Sequence, residues 1–143
     1  MKKKWPVRAL LVLLCMAMLC SIPAYAAEVR ASDRIMRSTA ILSKKSNGDL
    51  SMYFSVQGTG KMDIIGASSV KVQRNTIFGW VTEYTFTPDN APEIQAESKF
   101  QHSATLTYSP LFSGKEYRAV VMIYVEDASG VSTQQLTSKI IDT

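Results

Sequence analysis

The chain of 143 residues is 46% hydrophobic and holds 16 Lys and Arg against 12 Asp and Glu. Four of the cations, Lys2, Lys3, Lys4 and Arg8, fall in the first 26 residues, so the remainder carries 12 charges of each sign and is formally neutral. That balance gives no electrostatic case for nucleic acid or an anionic surface, and since Cys15 and Cys20 share the same leading segment, the rest of the chain has no disulfide or cysteine metal site.

Residues 1–26 read as a secretory signal peptide. The four cations form a positive n-region, Val7 to Ile22 an apolar h-region, and Ala24-Tyr25-Ala26 an A-x-A cleavage site before the polar start Glu28, Val29, Arg30. An uncleaved anchor would want about 20 apolar residues, whereas Ser21 and Pro23 interrupt this run; neither cysteine follows the small residues of a lipoprotein signal. The expected product is secreted, free or held at the cell surface, with no membrane span after cleavage. Removing 26 residues leaves 117, enough for one domain and too few for two. The division is a flexible lead over 27–33 and a β-sandwich domain over 34–143.

The first predicted strand runs from Ile35 to Ser43, with Met36, Ala40 and Leu42 on one face and Arg37 and Thr39 on the other. Ser46-Asn47-Gly48-Asp49 predicts a hairpin with Asn-Gly in a type I′ turn. In the next strand, Leu50, Met52, Phe54 and Val56 alternate with Ser51, Tyr53, Ser55 and Gln57, the period of two that buries one face. Gly58, Gly60 and Gly66 then bracket a predicted loop from Gly58 to Ser68, with one helical turn carrying Met62, Ile64 and Ile65. Val70 and Val72 open a third strand, and Trp80 to Thr87 forms a fourth after a turn, with Trp80, Tyr84 and Phe86 in phase. Pro88 to His102 reads as an irregular loop, and Ser103 to Tyr108 as a strand with Ala104, Leu106 and Tyr108 on one face. Tyr117 to Val125 is apolar on both faces, which marks a central strand. Leu111, Gly114 and Tyr117 before it have the spacing of a tyrosine corner, in which the phenol bonds back to upstream backbone. After the turn Glu126 to Gly130, Gln134 to Ile141 closes the domain with Leu136, Ser138 and Ile140 on one face. Seven antiparallel strands without helical periodicity define an all-β class.

From Ser103 to Thr143 this pattern resembles the second half of a fibronectin type III or related immunoglobulin-like domain. The resemblance lies in the L-x5-Y corner of Leu111 and Tyr117, the alternating Ala119, Val121 and Ile123, and the turn ending at Gly130 with Ser132 after it. In the first half the tryptophan of such domains is absent, and Phe54 stands in its role. Beyond the leader the sequence is also similar to small exported proteins of Gram-positive, Clostridia-like bacteria. The shared stretches are Phe54 to Val56, Thr59-Gly60, Met62, Ile65 to Ser68, Lys71-Val72, Trp80 and Tyr117 to Ala119. That similarity implies export and a sandwich, and carries over no functional residue.

Catalytic chemistry has little to build on. His102, the only histidine, lies beside Ser103 in a polar segment without a nucleophile-elbow motif, and one histidine without cysteine makes no zinc site. Glu83, Glu93, Glu97, Glu116, Glu126 and Asp127 are scattered, whereas a glycosidase holds two carboxylates about 5 to 10 Å apart across a cleft. Glu126-Asp127 lacks the spacing that gathers about six to eight oxygens on calcium. The expectation is a non-enzymatic protein without metal or cofactor. Trp80, in phase with Tyr84 and Phe86, is assigned to the core, which leaves Phe78 in its turn as the candidate exposed aromatic. If Tyr117, Ala119, Val121 and Ile123 point inward, then Val120, Met122 and Tyr124 line the outward face as a candidate partner surface. The reading is a secreted binding or structural module for an unknown protein or glycan partner. Carbohydrate recognition through exposed aromatics and hydrolysis by scattered carboxylates are the alternatives.

Overall fold

A computed structural model describes residues 33–110 and 112–143; the predicted signal peptide, all of the lead except Asp33, and Leu111 of the corner lie outside the described residues. Seven strands follow in order: β1 (Ile35–Lys44), β2 (Leu50–Thr76), β3 (Gly79–Phe86), β4 (Gln95–Tyr108), β5 (Glu116–Asp127), β6 (Gly130–Thr137) and β7 (Ile141–Asp142). All pair antiparallel in one sheet. The spine is β2. Its first half lies between β1 and β4, its second half between β3 and β5, and at Ile64, Ile65 and Gly66 it is flanked by β4 and β5 together. β6 and then β7 run along the far edge of β5.

Bulges bend this spine, so that its two halves form the layers of a sandwich-like domain. Between Gln57 and Met62 four residues of β2 oppose the single Phe100 of β4, and Ser68 is the extra residue between the pairs Ala67 with Ile123 and Ser69 with Met122. Unpaired residues of this kind bend a strand and raise its twist. Leu42, Met52, Phe54 and Leu106 from one half and Val70, Val72, Val121 and Ile123 from the other are buried in one core. The period-two alternation of Leu50 to Gln57 and Tyr117 to Val125 is thereby realised side chain by side chain.

Several expected elements differ. The predicted loop from Gly58 to Ser68 is continuous strand, because Met62, Ile65 and Ala67 are buried and ladder bonds continue through them, and the glycines mark bends. Of the loop predicted over 88–102, only the first part is irregular: a 3-10 turn at Pro92–Ile94 buries Ala91 and Ile94, and β4 starts at Gln95. Asn47 keeps a negative φ, so the first hairpin is not type I′. Instead Gly48 alone adopts positive φ and donates to the Lys45 carbonyl at 3.0 Å, while the Asn47 side chain binds Asp49. Met36 is exposed because a register shift between Ile35 and Arg37 turns it out of the core face. At the C-terminal end, Ser138 binds Ala119 and breaks the edge strand, so Ile141 packs on the core and Ile140 is exposed.

Candidate functional site

Directly paired residues share a face, so the register assembles the outward surface of β1, β2 and β4 as three cross-strand rows. These are Ile41 with Tyr53 and Thr105, Thr39 with Ser55 and Ser103, and Arg37 with Gln57 and Gln101. The middle row carries only short hydroxyl side chains. Space opens above it as a groove of about 590 Å³ lined by Tyr53, the hydroxyl row, Arg37, Gln57, Gln101 and Lys99, with Val56 and His102 completing the lining. Among the described residues no carboxylate lines it. Within the described residues none of the polar side chains on those strands (Arg37, Thr39, Tyr53, Ser55, Gln57, Lys99, Gln101, Ser103) has a hydrogen-bond or ion-pair partner.

Several polar side chains elsewhere are committed to the fold. At one end of the domain, Arg34 Nε meets Asp127 Oδ1 at 2.9 Å, with Ser129 and Gly130 donating to the same oxygen, and these donors hold the Asp127 carboxyl down at about 2. At the other, Arg74 Nε meets Glu83 Oε1 at 2.6 Å, and the guanidinium lies over Phe112. Burial pushes the Tyr108 and Tyr117 hydroxyls above the usual tyrosine range, and the charge of Glu83 adds to that while Arg74 opposes it. Tyr117 is fully buried and donates to the Phe112 carbonyl at 3.4 Å.

His102 packs edge-on against Phe54, and its Nε2 contacts the Glu93 carbonyl at 2.7 Å. Glu116 accepts from Asn75, and Glu126 from the Tyr124 hydroxyl at 2.5 Å, a bond that raises the Tyr124 pKa. Glu93 and Glu97 are exposed. Among the described residues no group of three His, Cys, Asp or Glu is placed to hold a metal ion.

Phe78 stands 91% exposed at the tip of the β2–β3 hairpin beside Ile77. Val120, Met122 and Tyr124 lie on the outward face and are half-buried, paired in turn with Lys71, Ser69 and Gly66 of β2 and with Thr137, Gln135 and Thr133 of β6. Trp80 leaves the core face. Val72 pairs with Tyr84 and Gln73 with Thr82, so Glu83 is an extra residue that reverses the alternation. Trp80 therefore lies outward with the Arg118 guanidinium over its ring at 4.3 Å.

Part of the groove was visible in the sequence, since the polar alternation of Leu50 to Gln57 set Tyr53, Ser55 and Gln57 on one face, whereas Lys99, Gln101 and His102 fall in the stretch read as an irregular loop. What unites Tyr53, Ser55 and Gln57 with Arg37, Lys99 and Gln101 is the pairing of three strands, in which β4 meets residues of β2 that lie far away in sequence, as Gln57 does from Gln101. A scan against protein-family models finds no match, and a search of curated proteins finds no relative. Among the described residues no helix is long and apolar enough to cross a membrane.

Proposed function

We propose that the chain is an exported, non-catalytic binding module whose contact surface is the groove over β1, β2 and β4. The observation that carries this reading is the gathering of unpartnered polar side chains beside the Tyr53 ring in one groove. Among the described residues the groove gathers eight polar side chains that have no hydrogen-bond or ion-pair partner, and no carboxylate stands with them. Surface recognition by a few convergent polar groups around an aromatic needs this arrangement. The charged and apolar leader ending in Ala24-Tyr25-Ala26 supports export. The bond from Tyr117 to upstream backbone supports the immunoglobulin-like, fibronectin type III-like reading of the C-terminal half, and the similarity to exported proteins of Gram-positive bacteria agrees with both.

The test is affinity electrophoresis of the purified protein through gels cast with single polysaccharides or proteins, with an assay for cleavage products run on the same panel. Retardation by at least one ligand, lost in Ser103→Trp without a change in thermal midpoint, is the expected result. Retardation by none, or turnover of a substrate that Glu93→Gln or Glu97→Gln abolishes, would overturn it.

A further inference from the structure

The groove is graded along its length. Tyr53 presents a ring at one end, hydroxyls follow, and amides flanked by Arg37 and Lys99 close the other end. From Tyr53 to Gln57, four steps along β2 span about 13 Å, and β1 and β4 stand about 10 Å apart across it. That is a trough for a short run of rings, too open to enclose a small ion.

Its electrostatics are one-sided. Among the described residues Arg37 and Lys99 stand on the groove without an acidic partner, and no acid lines it. Residues 27–143, formally neutral as a whole, thus hold a local positive field that their net charge conceals. Amides and hydroxyls both donate and accept, which suits a polyol. A guanidinium suits a carboxylate or phosphate, and a tyrosine ring suits the apolar face of a sugar. A peptide would want pockets for alternate side chains, and the row of short hydroxyls provides none.

We infer that this groove binds an acidic polysaccharide, with Tyr53 under a ring and Arg37 and Lys99 on its acid groups. The inference rests on the binding-module reading and specifies its ligand. The acid has two sources, uronate carboxylates or phosphodiesters that link sugar rings, and the probes separate them.

The experiment titrates protein purified from the full chain with galacturonic acid hexamer, with the methyl ester of the same hexamer, and with a phosphodiester-linked hexose polymer. At least one acidic probe should bind about tenfold or more tightly than the ester, and the preference should shrink as salt is raised. The double variant Arg37→Gln with Lys99→Gln should lose that preference, while Tyr53→Ala should weaken acid and ester alike. Equal affinity for the acids and the ester overturns the inference and leaves the binding-module reading standing. A preference that survives the double variant also overturns it, since the charge is then read elsewhere, and so does absence of binding to all three probes. Should the double variant unfold, the ester and salt comparisons on the unaltered protein still decide.

Discussion

Gly66 shows how much one residue can fix. It sits in β2 where β4 and β5 both pair, with φ of 152°, and the 3-10 turn at Pro92–Ile94 runs directly over it. A Cβ there would collide with the Ile94 carbonyl oxygen and come within 2.8 Å of Gln95 Cα. Both obstacles are backbone, so no rotamer change relieves them, and moving them would lift Ile94 from the core. Gly66→Ala should therefore destabilise by about 3 kcal/mol or more. Gly60, which has open space around the same notional atom, is the control, and Gly60→Ala should lie within about 1 kcal/mol of the unaltered chain. Matching urea midpoints for Gly66→Ala and the unaltered protein would show that this approach is not tight.

At the scale of elements, β5 was legible because each inward residue from Tyr117 to Val125 is apolar and each is buried. Its entry was legible too, through the phenol of Tyr117 bonding to upstream backbone. That bond is long at 3.4 Å, and the ring itself stays packed if the hydroxyl is removed, so Tyr117→Phe should cost about 1 kcal/mol, the net worth of one hydrogen bond. Coincident urea midpoints would remove the corner from the list of stabilising features. The fate of β3 was not legible. One bulged residue, Glu83, reverses its alternation and carries Trp80 outward, and a period-two pattern holds no mark of a bulge whose extra residue pairs with Arg74 on the neighbouring strand. The loop expected at Gly58 to Ser68 failed for a related reason. Glycine punctuates a strand as readily as it ends one, and only pairing from both sides shows which. The groove was half legible: Tyr53, Ser55 and Gln57 came from alternation, while their neighbours came from strand pairing.

At the scale of the molecule, closure depends on bringing the segment before β1 onto the turn between β5 and β6. Arg34 spans that gap to Asp127, Ser129 and Ser132, and Ser38 reaches Gln134 beside it. The link is sensitive to acid. Its Asp127 pKa of about 2 lies below the ordinary 3.8 because donors from Ser129 and Arg34 favour the charged carboxylate. A depressed folded pKa contributes stability that is present in full above the unfolded value and is lost as pH falls through the folded one. The window is therefore from about pH 4 down to about pH 2. Across it the unaltered protein should lose more of its urea midpoint than Asp127→Asn does, and because the pair is near the surface the difference should narrow in high salt. Parallel midpoint curves for the two proteins from pH 5 to pH 2 would mean that the carboxylate titrates alike in folded and unfolded chains. Arg34 would then be a contact between the two ends of the sheet without electrostatic consequence for their closure.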